Sequence, residues 1–294
     1  MQNENIEEYI IPDYARVKYT DLQGIIKVQY MEKMNTECPV RIIDKDHYCL
    51  LATGEIFEID HSKERVDDYV SLRRTFRNLS DDINMNFNGS KNELFVTLTY
   101  RGENRPLMSD GERFYTDFKI FMKKLRKNYG RIENIVVIEP HESGHLHSHV
   151  LLQFLDHKSI FIPKDKMAQF WGKGFVEMDR LTGITNVGAY LSAYLTDIPL
   201  TEQNLSEAIS EGRTIKEVDG KKFIKGGRLK YYNKNTKIYR KSRGMKKPDS
   251  EFMTWKEAQK KTGSAKPEFE KAYTVEINEF TNTIVHKHFN LRTL

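Results

Sequence analysis

The chain has 294 residues, of which 38% are apolar and 30% charged; this composition suits a packed globular protein and excludes a disordered or collagen-like one. No apolar run approaches the roughly 18 residues of a membrane span, and the polar, acidic opening MQNENIEEYIIPDY does not read as a secretory signal. Two cysteines, Cys38 and Cys49, are too few for a disulfide scaffold or a thiolate zinc site, so a reducing cytoplasm is the expected location.

In chain order, residues 41–59 read as short strands with a turn at Thr53-Gly54. Val66, Val70, Phe76, Leu79 and Ile83 then recur at helical spacing until Asn88-Gly89 stops them. ELFVTLTY (93–100) is rich in β-branched and aromatic residues and predicts a buried strand. Phe114, Phe118, Phe121, Met122 and Leu125 define the apolar face of a second helix, whose other face carries Lys119, Lys123, Lys124 and Lys127 and reads as solvated. NIVVIE (134–139) and LHSHVLLQF (146–154) are strands separated by a Ser-Gly turn. A short helix opened by Pro163 ends in MAQFW, GFVEMD (174–179) is a strand, and TNVGAYLSAYLTD (185–197) is a helix ended by Pro199. Residues 200–220 read as a loop or surface helix, SEFMTWKEAQKKTG as a helix ending at Gly263, and YTVEI and TIVHK as strands.

The net charge of +5 hides an asymmetry. Residues 221–247 contain twelve Lys or Arg and no Asp or Glu, which leaves the remainder at −7. Such a block is either a solvated surface or a contact for a polyanion. Phe223, Tyr231, Tyr232 and Tyr239 lie among the cations. Rings between cations combine base stacking with phosphate pairing, which favours single-stranded nucleic acid. Lys225, Arg228, Lys230, Tyr231, Tyr232, Arg240, Lys241 and Arg243 are the DNA-contact candidates.

Four of the nine histidines fall within residues 141–149. On a strand, His145, His147, His149 and Gln153 share one face, with Val150, Leu152 and Phe154 on the other. Glu139 reaches the same surface if its strand pairs across the turn. Two imidazoles with a carboxylate or amide oxygen form a mixed N/O set suited to Mg²⁺, Mn²⁺ or another divalent ion. The bare H-x-H pattern is weak, since nine histidines produce it by accident often enough; VHKHFN, with His286 and His288, is such a decoy and reads as surface.

The surrounding residues strengthen the first pair. A carboxylate, two histidines one residue apart, an apolar strand and a following Gln resemble the metal motif of the HUH endonucleases, here Glu139, His147, His149 and Gln153. Ser148 departs from the apolar residue usual between the histidines, and the register His145-Leu146-His147 lacks the strand after it. LFVTLTY, KIFMKKLRKNYG, WGKGFVEMD and YRKSRGMKKP resemble, in order, other segments of the replication initiators of bacterial plasmids and phages. The resemblance spans residues 72–248.

The resemblance implies a fold and a chemistry. The expected fold is α+β, a central antiparallel sheet with the histidines on an inner strand, helices on one face and the tyrosine helix beside the other. Residues 1–71 would form an accessory region, 72–248 the nuclease domain and 249–294 an extension. In such enzymes a tyrosine C-terminal to the metal motif cuts DNA; Tyr190 and Tyr194, four apart, share a helical face. Without a metal site they read as buried aromatics. Many members carry a lysine three residues after either tyrosine, where this chain has Ala193 and Asp197, so a substitute cation is expected from the 221–247 block.

The implied function is a metal-dependent nicking and joining enzyme that starts rolling-circle replication through a 5′-phosphotyrosine. Its partners would be single-stranded origin DNA, a host helicase and a polymerase, with no membrane. No P-loop G-x-x-x-x-G-K-[ST] is present, so unwinding needs a partner. Alternatives are a transposase or relaxase of the same superfamily, a non-catalytic single-strand-binding regulator on this fold, and a phosphoesterase using activated water.

Overall fold

The computed structural model describes residues 2–6, 8–34, 39–59, 69–102, 105–140, 145–210, 212, 214–218, 221–232, 237–277 and 280–293. It is α+β, and every strand pair among the described residues is antiparallel. The chain divides into two compact units, Met1–Lys63 with Asp249–Leu294, and Glu64–Pro248.

The first unit begins with β1 (Gln2–Ile6), β2 (Arg16–Leu22) and β3 (Ile25–Met31). Gln23 (φ 57°) and Gly24 (φ 96°) both adopt positive φ, the conformation a tight two-residue hairpin demands, so β2 and β3 pair directly. β4 (Val40–Ile42), β5 (His47–Leu50) and β6 (Ile56–Glu58) form a small meander, with Gly54 at φ 76° in the turn expected there.

The second unit opens with α1 (Tyr69–Asn86), whose Leu72, Phe76, Leu79 and Ile83 are buried as their spacing predicts. Val66 and the side chain of Val70 lie outside the described residues. There follow β7 (Glu93–Leu98), α2 (Gly111–Tyr129), β8 (Ile132–Pro140), β9 (Leu146–Phe154), α3 (Lys164–Trp171), β10 (Val176–Asp179) and α4 (Val187–Thr196). Residues 200–220 are more ordered than their polarity suggests. After β11 (Ile198–Pro199) comes α5 (Glu202–Ser210), and β12 (Ile215–Val218) pairs with β13 (Lys221–Ile224). β14 (Tyr239–Lys241) joins the main sheet, whose order is β10-β7-β9-β8-β14.

The histidine strand β9 is therefore central in this sheet. One face presents Leu94, Val96, Val136, Ile138, Val150 and Leu152. α2 and α3 cover it, with Phe114, Phe118, Phe121 and Trp171 forming an aromatic cluster. The other face presents Phe95, Thr97, Val137, Glu139, His147, His149 and Leu151. Ile83 of α1 and Leu191 and Leu195 of α4 line a small hollow against Phe95, Val137, His149 and Leu151. The tyrosine helix thus lies on the histidine side.

The chain then returns to the first unit with β15 (Ser250–Thr254), α6 (Trp255–Thr262), β16 (Phe269–Ile277) and β17 (Phe280–Asn290). The helix expected over SEFMTWKEAQKKTG starts only at Trp255. Thr254 and Glu257 close a capping box there, and residues 250–254 pair with β2 as a strand. The six-stranded order is β1-β16-β17-β3-β2-β15, so the two ends of the chain build one sheet. His286 and His288, expected at the surface, are half-buried on β17; burial and the nearby Lys27 and His286 push the His288 pKa down to about 4.

Candidate active site

Strand alternation delivers the imidazoles, and register delivers the carboxylate. β8 and β9 pair with Glu139 opposite His147 and Val137 opposite His149. Glu139 is buried, and one carboxylate oxygen accepts a hydrogen bond from His149 Nε2. Its other oxygen meets Arg228 Nη1 at 2.5 Å, and the same guanidinium nitrogen donates to the Pro140 carbonyl at 3.1 Å. Burial raises the Glu139 pKa, but the His149 hydrogen bond and the charges of His149, Arg228 and His147 outweigh it, so the group titrates below the usual glutamate range.

His149 is held from its other side. Thr97 Oγ1 donates to Nδ1 at 3.1 Å, and the Phe95 ring stacks on the imidazole with centroids 5.4 Å apart. These contacts fix the ring with Nε2 toward Glu139, the orienting role that outer groups play around ligating histidines. Sequence reasoning missed Phe95 and Thr97. Strand period puts both on one face of β7, but only the register shows that Thr97 sits opposite His149.

The donor types of Glu139, His147 and His149 fit a divalent cation, and all three project from one sheet face. Among the described residues, however, no three His, Cys, Asp or Glu side chains already converge as an ion cage; Glu139 instead engages His149 and Arg228. Gln153 does not join them. It lies four residues beyond His149, about 13 Å along the strand, and its amide donates to the Asn86 carbonyl at 3.1 Å and meets Glu93 Oε1 at 3.5 Å. There it supports Glu93, whose carboxylate accepts from the N–H of Gly89 at 2.9 Å. The assignment of Gln153 as a ligand is corrected accordingly. His145, the outer member of the row, pairs across an isolated bridge with Leu107 and keeps a buried Nδ1 without a hydrogen-bond partner.

α4 is set onto this face by an asparagine pair. Asn186 caps the helix by accepting from Ala189 N–H at 3.1 Å, Asn84 of α1 donates to Asn186 at 2.9 Å, and Asn84 Oδ1 accepts from Gly188 N–H at 2.8 Å. α1 and α4 pack so closely that a Cβ on Gly188 would stand 2.4 Å from the Ser80 carbonyl oxygen. Gly188→Ala is therefore expected to cost about 2 kcal/mol, lowering Tm by about 4–8 °C; an unchanged melting curve would contradict this packing. Leu191 and Leu195 face the sheet, while Tyr190, one position round the helix, is 39% exposed. The side chain of Tyr194 lies outside the described residues.

Asp197, where a family lysine would stand, is buried and accepts the Gly226 N–H at 2.8 Å. That contact anchors the turn leading into the 3-10 turn Gly227–Tyr231, which carries Arg228 to Glu139. A cation from the 221–247 block thus reaches the histidine site.

The remaining residues of the block disperse. Tyr232 is only 2% exposed; its hydroxyl donates to the Leu195 carbonyl at 3.0 Å and its ring packs edge-on against Phe76, so it is a core residue and no stacking platform. Lys241 pairs with Asp82 of α1 at 2.5 Å. Arg240 lies 3.6 Å from the Tyr115 ring centroid and pairs with Glu112, on the α2 side of the sheet. With Arg126, Arg131 and Arg243 it lines a groove of about 660 Å³ there, on the face opposite the histidines. Lys225 and Arg243 are exposed, Tyr231 is partly so, and the Lys230 side chain lies outside the described residues.

Sheet, histidine row and tyrosine-bearing helix together form one α+β unit, and one comparison bears on its class. A family model for replication-associated proteins of the ORF2 type matches residues 93–198, from β7 to β11. That span includes Glu139, His147, His149, Tyr190 and Tyr194 and supports a role in initiating DNA replication. No curated protein and no solved structure matches the chain. Among the described residues, no helix is long and apolar enough to cross a membrane.

Acid titration probes the Glu139 contacts. A carboxylate whose folded pKa is depressed contributes stability above its unfolded pKa and loses it as pH falls through the folded one. The urea midpoint of the wild type is therefore expected to drop more steeply below about pH 4.5 than that of Glu139→Gln; parallel pH profiles would remove the ion-pair assignment.

Proposed function

We propose that the protein is a replication initiator of HUH type that nicks and joins single-stranded origin DNA through a tyrosine–DNA bond. The observation that carries this reading is the placement of His147, His149 and Glu139 on the sheet face that α4, with Tyr190, covers, all inside the span similar to replication-associated proteins. A divalent cation such as Mg²⁺ or Mn²⁺, held by His147, His149 and Glu139, would supply charge neutralisation at the scissile phosphate.

The residues of the chain account for the rest. A free phenol has pKa ≈ 10, so its ionisation at pH 7 costs about 4 kcal/mol, and a cationic surrounding lowers that cost. Tyr190 or Tyr194 attacks phosphorus as the 3′-oxygen leaves. The phenolic proton passes to solvent, the departing oxygen gains one as a 3′-hydroxyl, and the 5′-phosphate stays on the ring. Reversal by a 3′-hydroxyl rejoins the strand without ATP, because the phosphodiester energy is retained. Two tyrosines allow a second cleavage while the first is loaded. Arg228, beside Glu139, takes the place of the absent family lysine by balancing phosphate charge. Plasmid or phage rolling-circle replication, with a host helicase and polymerase as partners, is the setting this chemistry serves.

One observation favours a second reading, a non-catalytic single-strand binder: Glu139 is already engaged by both His149 and Arg228. A labelled single-stranded oligonucleotide incubated with Mn²⁺ separates the two. The enzyme yields a denaturation-resistant protein–DNA species that EDTA prevents; the binder yields only a mobility shift that EDTA spares. Cleavage without any adduct would instead mean an activated water.

A further inference from the structure

The six-stranded sheet has two unlike faces. Val17, Tyr19, Ile26, Val28, Tyr30, Val285 and Phe289 point to one side, where Trp255 and Ala258 of α6 complete a core. The register places the alternate residues on the other side. It carries Arg16, Lys18, Lys27 and Lys271 as cations, and Phe252, Phe269, Tyr273 and Phe280 as rings. Phe252 and Phe269 are each 46% exposed and Phe280 50%, which is unusual for phenylalanine and concentrates exposed ring area on one face. Among the described residues of β2, β3, β15, β16 and β17, no Asp or Glu projects from this side; Asp21, Glu251, Glu270 and Glu276 all fall on the opposite parity.

The cations and rings are interleaved. The Arg16 guanidinium carbon lies 4.7 Å from the Phe252 centroid, Lys271 Nζ 5.4 Å from Tyr273, and Lys33 Nζ 5.1 Å from Phe280. Phe269 packs against His288 at 4.9 Å and Tyr273 stacks on His286 at 6.1 Å, which steadies both rings from beneath. A protein or lipid partner would require either acid groups or a continuous apolar patch. Separated rings among cations, free of acids, instead match alternating bases and phosphates.

We infer that this sheet face is a second nucleic-acid surface, one that binds single-stranded DNA by stacking bases on Phe252, Phe269 and Phe280 while Arg16, Lys18, Lys27 and Lys271 pair with phosphates. It is separate from the histidine site and does not depend on that site being catalytic.

The test uses the full chain in EDTA, with fluorescein-labelled dT20 followed by anisotropy. Phe252→Ala/Phe269→Ala/Phe280→Ala is expected to weaken binding at least tenfold. Lys18→Ala/Lys271→Ala is expected to reduce the slope of log K against log salt by about 1.4. The rings are half exposed, so the core on the other face is left intact, and Phe269→Trp should retain wild-type affinity. With 5-iododeoxyuridine in the oligonucleotide, ultraviolet cross-links should map to peptides containing these phenylalanines. Wild-type affinity in the phenylalanine variant together with an unchanged salt slope would overturn the inference. So would an equal loss for a 20-base-pair duplex, or a loss confined to anionic phosphatidylserine vesicles. Adduct formation at saturating oligonucleotide is unaffected by these substitutions, so failure of the nuclease reading and failure of this one are told apart.

Discussion

Tyr190→Phe/Tyr194→Phe is expected to form covalent protein–DNA adduct at less than about a thousandth of the wild-type rate. The substitution deletes only the attacking oxygens. The rings remain, so α4 keeps its packing through Leu191 and Leu195 and the melting curve stays unchanged. Tyr190 is the better-placed of the pair on what the structure describes, since it is substantially exposed at the helix position next to Leu191, which faces the His149 hollow. The single variant Tyr190→Phe should therefore lose most first-cleavage activity and retain oligonucleotide binding. Quantifying the adduct on denaturing gels with a 5′- or 3′-labelled oligonucleotide checks both statements. Undiminished adduct in the double variant removes α4 from the chemistry altogether.

Arg228→Ala is the second large effect. Glu139 and Arg228 are both mostly buried, with side-chain exposures of 9% and 14%. Deleting one partner strands the other charge in a poorly solvated place, a change worth about 3–5 kcal/mol. For a unit the size of Glu64–Pro248 this corresponds to a Tm lower by about 6–20 °C. Arg228→Lys should recover part of the stability, because a single amine still meets the carboxylate but lacks the second donor for the Pro140 carbonyl. Differential scanning calorimetry of both variants is the measurement. If Arg228→Ala melts like the wild type, the pair is a surface contact and the argument that Arg228 replaces the missing lysine fails with it.

Much of the second unit is legible along the chain because its signals are local. The apolar stripe of α2, the β-branched run of β7 and the alternation in LHSHVLLQF each need no distant partner, and the structure places all three as their periods imply. The alternation also puts the imidazoles on one face. What period cannot express is which residue lies across from which. Gln153 shares the face of His149 yet is taken up by Asn86 and Glu93. Tyr232 sits amid cations but is drawn into the core beside Phe76. Arg228 and Arg240, twelve positions apart in one basic block, end on opposite sides of a sheet because β14 intervenes at its edge.

The first unit is less legible for the same reason on a larger scale. β2 and β3 alternate in period two around Gln23-Gly24, a pattern that can be found locally. That β3 also pairs with β17, and β2 with β15, depends on strands more than 200 residues away, and no local preference encodes such closure. The two terminal segments therefore read as separate extensions although they form one sheet.

The central claim is that a phenolic oxygen on α4 becomes bonded to DNA phosphate with the help of Glu139, His147 and His149. Mass spectrometry of proteolysed protein after incubation with Mn²⁺ and single-stranded candidate origin DNA tests it most directly. The account predicts a peptide spanning Tyr190 and Tyr194 that carries a 5′-phosphonucleotide on tyrosine, absent with EDTA and absent in His147→Ala/His149→Ala. DNA cleavage with no such peptide, or a nucleotide attached to a tyrosine outside α4, would contradict it.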